Sequence, residues 1–398
     1  MRLENKEKLF KILIVAILAY QHVYAEAFGQ IPFLLTALYI LLDIHLIFYF
    51  FPMVRHLRIS KICMPLILFF AYATVFGFFI TSYRSAFLGY ISNGIEYLVL
   101  FISTYTVCKK EKNCGFLVSA ILILSMLSIV IALQRNQYIF NRLVISGTSN
   151  ANTLGNLCII GACTSLYIAI TKRKGWIVLL LCAPIIIHTA ILTASKKAVL
   201  IIIILIVLYI MFRLRDWIRK HFIQVCVGAL ALGVIYWVNR NNITEALIAT
   251  TLYSRVLNAE SLDAGRITLY ENAYRIFLEH PIFGVGYQCY QLAGGTIYAH
   301  SAYAEVLAGT GIIGFLLWFV FYIRIFSKSV FAVHKKRSDL VFLWCLIWII
   351  CQIVLDFTSV SLYSPINMTL LGIVAGILES GLAEKKFQEP DNGVNIYD

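Results

Sequence analysis

"GFLVSAILILSMLSIVIALQ", residues 115–134, is twenty residues long and carries no charge. At about 1.5 Å per residue, a helix of that length matches the hydrocarbon thickness of a bilayer. The same kind of run recurs along the chain, at 9–28, 31–52, 62–82, 86–107, 115–134, 152–171, 175–193, 197–212, 221–239, 301–326, 339–358 and 364–382. A spanning segment must satisfy its own backbone hydrogen bonds, so each run is expected as a helix. Over all 398 residues, 61% are hydrophobic and only 13% charged, with a mean hydropathy of +0.83. A water-soluble domain has no way to hide that much apolar surface. The expected fold is therefore an all-α polytopic membrane protein of about 12 transmembrane helices. The first run ends without a small-residue cleavage site and reads as a span, not as a removed signal.

The net charge of +13 invites a nucleic-acid reading, but its distribution argues otherwise. With both termini cytoplasmic, 24 of the 33 Lys and Arg residues fall in inside segments, from Arg2, Lys6, Lys8 and Lys11 through Arg55, Arg58 and Lys61 to Lys385 and Lys386. Every other loop is basic, as the positive-inside rule requires. The chain then divides into N-terminal transmembrane helices (1–134), central helices (135–239), a long extracytoplasmic loop (240–300), C-terminal helices (301–382) and a cytoplasmic tail (383–398). No P-loop, no CxxC and no His/Cys cluster with metal spacing occurs, so neither a cofactor nor a metal is expected. Only Cys289 lies in the long outer loop, which leaves that loop without an internal disulfide.

Nine cations remain outside: Arg84, Arg135, Arg142, Lys196, Lys197, Arg240, Arg255, Arg266 and Arg275. They oppose the orientation rule and need another explanation. Arg84 reads as a snorkelling helix-end residue. Lys196 and Lys197 sit where a helical hairpin turns, at Thr193-Ala194-Ser195-Lys196, and suit an anion. In the long loop, Ile267, Tyr270, Tyr274, Phe277 and Leu278 follow helical spacing, which predicts an amphipathic helix from Gly265 to His280. Such a helix suits the headgroup plane or the outer helix ends. Arg266 and Arg275, nine residues apart, fall on opposite sides of it. "HPIFGVGY" then breaks the helix. Its two glycines suit a phosphate cradle or, more plainly, tight backbone geometry. The bland reading of this loop is an inert cap, its arginines paired with Glu260, Asp263, Glu271 and Glu279.

The order of features is more specific than any one of them. "AGRITLYENAYRIFLEHPIFGVGYQCY", a histidine 34 residues after the arginine, and then "HSAYAEVLAGTGIIGF" resemble the conserved segment of the O-antigen ligase and polymerase superfamily. Upstream, "GTSNANTLGN" (Gly147 to Asn156) looks like that family's Asn-containing entry to a span, and "LTASKKAVL" (Leu192 to Leu200) like its "T-SR" signature. Here Lys196 replaces the arginine, giving a point donor in place of a bidentate fork. Ser301 follows the histidine where Asn is common, and Gly309 stands where a Glu often precedes the glycine turn.

The resemblance implies a metal-independent, GT-C-like membrane glycosyltransferase in the bacterial cytoplasmic (inner) membrane, working on the extracytoplasmic face. Its donor would be a polyprenyl-diphosphate-linked oligosaccharide, already activated, so no ATP is needed. Fixed cations would stabilise the departing diphosphate. It implies catalytic roles for His300, as proton acceptor for the attacking hydroxyl, and for Arg266. Lys196, Lys197, Arg255 and Arg275 are candidates for the diphosphate. Asn150, Asn152, Ser195, Ser301 and Glu305 are candidates for sugar or supporting contacts, and Asp356 is a further unpaired candidate. Plainer readings stand beside these: His300 as a helix cap, Asn150 and Asn152 as loop and cap residues. At the level of function, polymerisation of repeat units into O-antigen, capsule or exopolysaccharide competes with ligation of a finished glycan to another acceptor. A transporter of lipid-linked sugars is the opposing class, and it predicts broken helices and paired repeats. Partners beyond the lipid-linked glycan and membrane lipid would be other polysaccharide-assembly proteins.

Overall fold

The computed structural model describes residues 3–31, 33–54, 60–111, 114–147, 149–213, 215–257, 259–295, 298–336 and 339–383. Arg2, Arg55, Arg58, Lys112, Arg337, Lys385 and Lys386, and all of the tail beyond 383, lie outside the described residues. The chain begins with α1 (Leu3–Ala19), a π-helical turn (Tyr20–Tyr24) and α2 (Ala25–Phe28) as one rod. Then follow α3 (Leu34–Val54), α4 (Met64–Ile80), α5 (Arg84–Glu111) and α6 (Gly115–Arg135). A short hairpin, β1 (Gln137–Ile139) and β2 (Arg142–Val144), precedes α7 (Ala151–Thr171), α8 (Gly175–Leu192) and α9 (Lys196–Arg213). The remainder is α10 (Arg215–Lys220), α11 (Phe222–Ile248), α12 (Thr251–Leu257), α13 (Ala259–Glu279), α14 (Ala302–Lys335), α15 (Leu340–Asp356) and α16 (Pro365–Ala383).

Each of the twelve apolar stretches falls on helix, apart from a few end residues. Among the described residues, six helices are long and apolar enough to cross a membrane, and five more apolar helices are shorter. The protein is a mostly helical, polytopic membrane protein. Its core lies where α16 packs along α5, α7 along α6 and α8, and α14 along α4 and α15. Trp318, Trp344 and Trp348 are wholly buried there. Cys108 and Cys114 face each other across the α5–α6 turn.

Three features of the loops depart from expectation. The 135–151 connection contains the β1–β2 hairpin, a small exception to an all-α fold. Its two-residue turn, Phe140-Asn141, has positive φ at both positions, 48° and 58°. That twist matches antiparallel strands and drives the backbone straight back. The 240–300 segment is largely helical, since α11 continues to Ile248 and α12 and α13 follow at once. Finally, α13 starts at Ala259 and packs on a different face from the one predicted. Leu269, Ala273 and Ile276 are buried, whereas Ile267, Tyr274 and Leu278 are more than half exposed. The helix lies across the end of α14 and turns its larger apolar residues outward, as an interfacial helix does.

The glycine-rich elements explain each other. Helix α14 is interrupted at Gly311 (φ 64°, ψ −169°), and "HPIFGVG" crosses it at the break. Val285 N donates to Ala308 O at 3.2 Å, Gly286 N to Gly309 O at 2.8 Å and Ile312 N to Pro281 O at 2.9 Å. A Cβ on Gly284 would come within 2.5 Å of the Gly309 carbonyl, and one on Gly311 would strike the Ile282 carbonyl. Both glycines are required by this backbone crossing. No phosphate cradle is formed there, because these amides are already spent on α14.

Candidate active site

At the end of the bundle that carries the hairpin and α13, two cavities adjoin. One, of about 200 Å³, is lined by Ala194, Ser195, Lys196 and Lys197 at the α8–α9 turn, by Arg255 of α12 and Arg266 of α13, and by Leu200, Ile201, Val354 and Thr358. The other, of about 320 Å³, is lined by Asn150, Asn152, Thr153 and Asn156 of α7, Gln288, Gln291 and Tyr298 of the loop, Tyr90, Tyr363 and Glu305. Asn152 and Lys197 line both cavities. The first is cationic with an apolar floor. The second is a bed of amides and phenols with one carboxylate.

Close packing brings the two together. The start of α7 lies against the α8–α9 turn, where a Cβ on Gly155 would sit 3.0 Å from Ser195 Cβ and Oγ. Two arginines then hold the turn. Arg142 donates Nε–H to Thr193 O and its terminal N–H to Asn152 Oδ1, both at 2.8 Å. Arg255 donates to Ala194 O at 3.1 Å. Ala194 itself is in the left-handed region, φ 48°, which a non-glycine residue occupies only under constraint. Ser195 Oγ is buried and has no hydrogen-bond partner among the described residues.

The cations feel one another. Burial, then Arg255 and Arg266, bring the Arg142 guanidinium down to about 10. Burial and then Arg266 lower Arg255 as well. Crowded positive charge of this kind suits an anion. His300 belongs to the same field. Burial, followed by Arg266 and Lys197, holds its imidazole down to about 4, so it is neutral at physiological pH. Its backbone is left-handed, φ 55°, and its ring leans on Tyr298 with centroids 4.0 Å apart. His300 lines neither cavity wall. Strain of that kind, at a residue with charged neighbours, is a mark of functional sites.

Glu305 is 2% exposed and stands one turn into α14. Its Oε2 accepts from Ala299 N at 2.7 Å, which ties the turn that carries His300 to the helix. The cap position is Ser301, but its side chain caps nothing and its Oγ points to Asp356 O at 3.4 Å. Asp356, expected unpaired, is buried and fully engaged. Tyr322 Oη donates to Oδ2 at 2.7 Å, Gln352 Nε2 to Oδ1 at 3.3 Å, and Ser361 Oγ donates too. It anchors the end of α15.

The structure thus brings Lys196, Lys197, Arg255, Arg266, Ser195, Asn150, Asn152 and Glu305 to the two cavities, whereas His300 and Ser301 line neither. Asn150 also caps α7, accepting from Asn152 N at 2.9 Å. Arg275 is not brought in. It pairs with Glu279 at 3.2 Å on the exposed side of α13, the opposite side from Arg266. Sequence reasoning passed over Arg142, Tyr90, Asn156, Gln288, Gln291 and Tyr363. Arg142 alone carried a signal, as one of the nine cations apart from the basic loops, while neutral residues in loops and helices carry none.

Residues 177–319 match the model of a protein family described as O-antigen ligase. The match takes in the α8–α9 turn, α12, α13, the loop with His300 and the broken start of α14, and it ends before α15. No curated protein matches the chain. The resemblance to the O-antigen ligase and polymerase superfamily is thereby shown over those residues.

Proposed function

We propose that this protein is a membrane glycosyltransferase that polymerises polyprenyl-diphosphate-linked oligosaccharide repeat units into a surface polysaccharide, on the extracytoplasmic face of the bacterial inner membrane. The observation that carries this reading is the pair of cavities sharing Asn152 and Lys197. The cationic cavity suits a diphosphate, and Leu200, Ile201 and Val354 give it an apolar wall. The amide and tyrosine cavity suits an uncharged glycan, since planar aromatic faces and amide donors and acceptors match sugar rings and hydroxyls. The acceptor hydroxyl attacks the anomeric carbon as the carbon–oxygen bond to the diphosphate breaks, and the electron pair leaves with the phosphate. Arg266, Arg255, Lys196 and Lys197 stabilise that charge as it develops. His300, neutral and flanked by Arg266 and Lys197, stands on the leaving-group side. No metal is required for this chemistry.

The family description favours a second reading, ligation of a finished glycan to a different acceptor. Transport is disfavoured although α14 is broken. Its freed backbone groups are bonded by residues 281–286, whereas a transporter turns such groups toward a cavity.

The purified protein in lipid nanodiscs, supplied with lipid-linked repeat units from its host, should give a ladder of glycans on a gel. Arg266→Ala should reduce it by about 100- to 1,000-fold, and Arg266→Lys by less, because a lysine keeps charge but not the fork. Product only on adding a foreign acceptor means ligation. Near-wild-type ladders from both variants remove Arg266 from the mechanism.

A further inference from the structure

The proton of the attacking hydroxyl needs a destination, and Glu305 and His300 qualify by type. We propose that Glu305, not His300, is the catalytic base; this rests on the glycosyl-transfer reading above. Glu305 lines the amide and tyrosine cavity, and His300 lines neither. One carboxylate oxygen, Oε2, is fixed by Ala299 N–H. Among the described residues the other, Oε1, makes no hydrogen bond within the protein, and the cavity that Glu305 lines is where a glycan hydroxyl would lie. Lys197 lines the same cavity from α9 and joins it to the cationic one, so acceptor and leaving group meet within reach of both residues. His300 sits in the cationic field, where taking a proton would add a third positive charge beside Arg266 and Lys197.

The step balances without a co-reactant. The acceptor oxygen forms its bond to the anomeric carbon, its proton passes to Oε1 of Glu305, and the diphosphate leaves with the electron pair of the broken bond. The protonated carboxyl then releases its proton to water through the open cavity. The titratable groups facing Glu305 are Lys197 from α9, Tyr90 from α5, Tyr363 after α15, and Tyr287, Tyr290 and Tyr298 from the loop. All are phenols or an amine, so Glu305 is the one carboxylate among them.

The plainer alternative is that Glu305 only braces the His300 turn. Glu305→Gln separates the two, because an amide oxygen still accepts from Ala299 N–H but takes no proton. The base role predicts that Glu305→Gln lowers kcat by about 100-fold or more, leaves KM for the lipid-linked donor unchanged and abolishes the rising limb of rate against pH. His300→Ala should slow the reaction but keep that limb. A Gln variant with more than about a third of wild-type kcat overturns the proposal.

A second measurement needs neither turnover nor a variant. Dicyclohexylcarbodiimide should modify Glu305 in the wild-type protein, and the oligosaccharide released from the host's lipid-linked repeat unit should block it. Absence of modification, or modification that the oligosaccharide leaves unchanged, overturns the placement of the acceptor beside Glu305. Protection without any product from any acceptor would mean that the transfer reading itself has failed, and the base role with it.

Discussion

Arg142 and Asn152 are joined by a 2.8 Å hydrogen bond from guanidinium to amide oxygen. It spans the gap between the β-hairpin and the first turn of α7. The same guanidinium holds the Thr193 carbonyl, so one side chain fixes three segments around the shared wall of the cavities. Charged hydrogen bonds of this type contribute about 1.5–3 kcal/mol each. Arg142→Ala should therefore lower thermal stability and reduce transfer at least about 10-fold, with Arg142→Lys intermediate. Differential scanning fluorimetry and the nanodisc assay report the two effects. Full activity in the Ala variant would show that the turn holds its shape without the clamp.

Lys196 and Lys197 are neighbours in sequence and unequal in space. Lys196 lines only the cationic cavity, whereas Lys197 lines both. Lys197→Ala should cost about 100-fold in kcat, the low end of the range for loss of one preorganised donor. Lys196→Ala should act mainly on KM for the donor. Equal kinetic effects from the two would contradict the shared-wall geometry.

Gly311 has φ 64° and ψ −169°, a region open in practice to glycine alone. Gly311→Ala should destabilise the protein by about 1–3 kcal/mol from backbone strain, before the clash of the new methyl with the Ile282 carbonyl is counted. The expected readout is a lower melting temperature in detergent and a loss of activity in proportion to folded protein. An unchanged melting point would mean that the crossing of residues 281–286 over α14 is loose.

For His300 the sign follows from proton counting. Its folded-state pKa is held near 4 by burial first and then by Arg266 and Lys197, below the usual value of about 6.5. Between those values the unfolded chain binds more protons, so stability falls as pH drops from about 6.5 to 4. A His300→Gln variant should show a flatter dependence of melting temperature in that window. The rate in wild type should show no limb near 6.5 from this residue. A His300 that titrates near 6.5 would place it outside the cationic field.

The sites of the helices were legible because hydrophobicity acts residue by residue. The 115–134 run is α6 to within one residue, and the turn at Thr193–Lys196 falls between α8 and α9. The face of α13 was not legible. Tyr270, Tyr274 and Phe277 follow a helical period as well as Leu269, Ala273 and Ile276 do, and only the packing partner selects between them. Similarly, nine cations apart from the basic loops were visible in the sequence, but charge alone does not say which converge. Arg275 and Arg266 share a helix, yet Arg275 pairs with Glu279 while Arg266 lines the cavity.

By itself the sequence determined that the chain is a polytopic, helical membrane protein with nine cations displaced from the basic loops. Apolar burial and the positive-inside bias are sums over neighbouring residues, so a local reading suffices for both. Tertiary structure alone decided that Arg142 holds Thr193 and Asn152, and that Glu305 lines a cavity that His300 does not. It also decided that the GVG and GTG glycines meet as backbone against backbone. Each of these depends on how distant helices cross. That crossing is set by close contacts such as Gly155 against Ser195 and Gly284 against Gly309, to which no local pattern points.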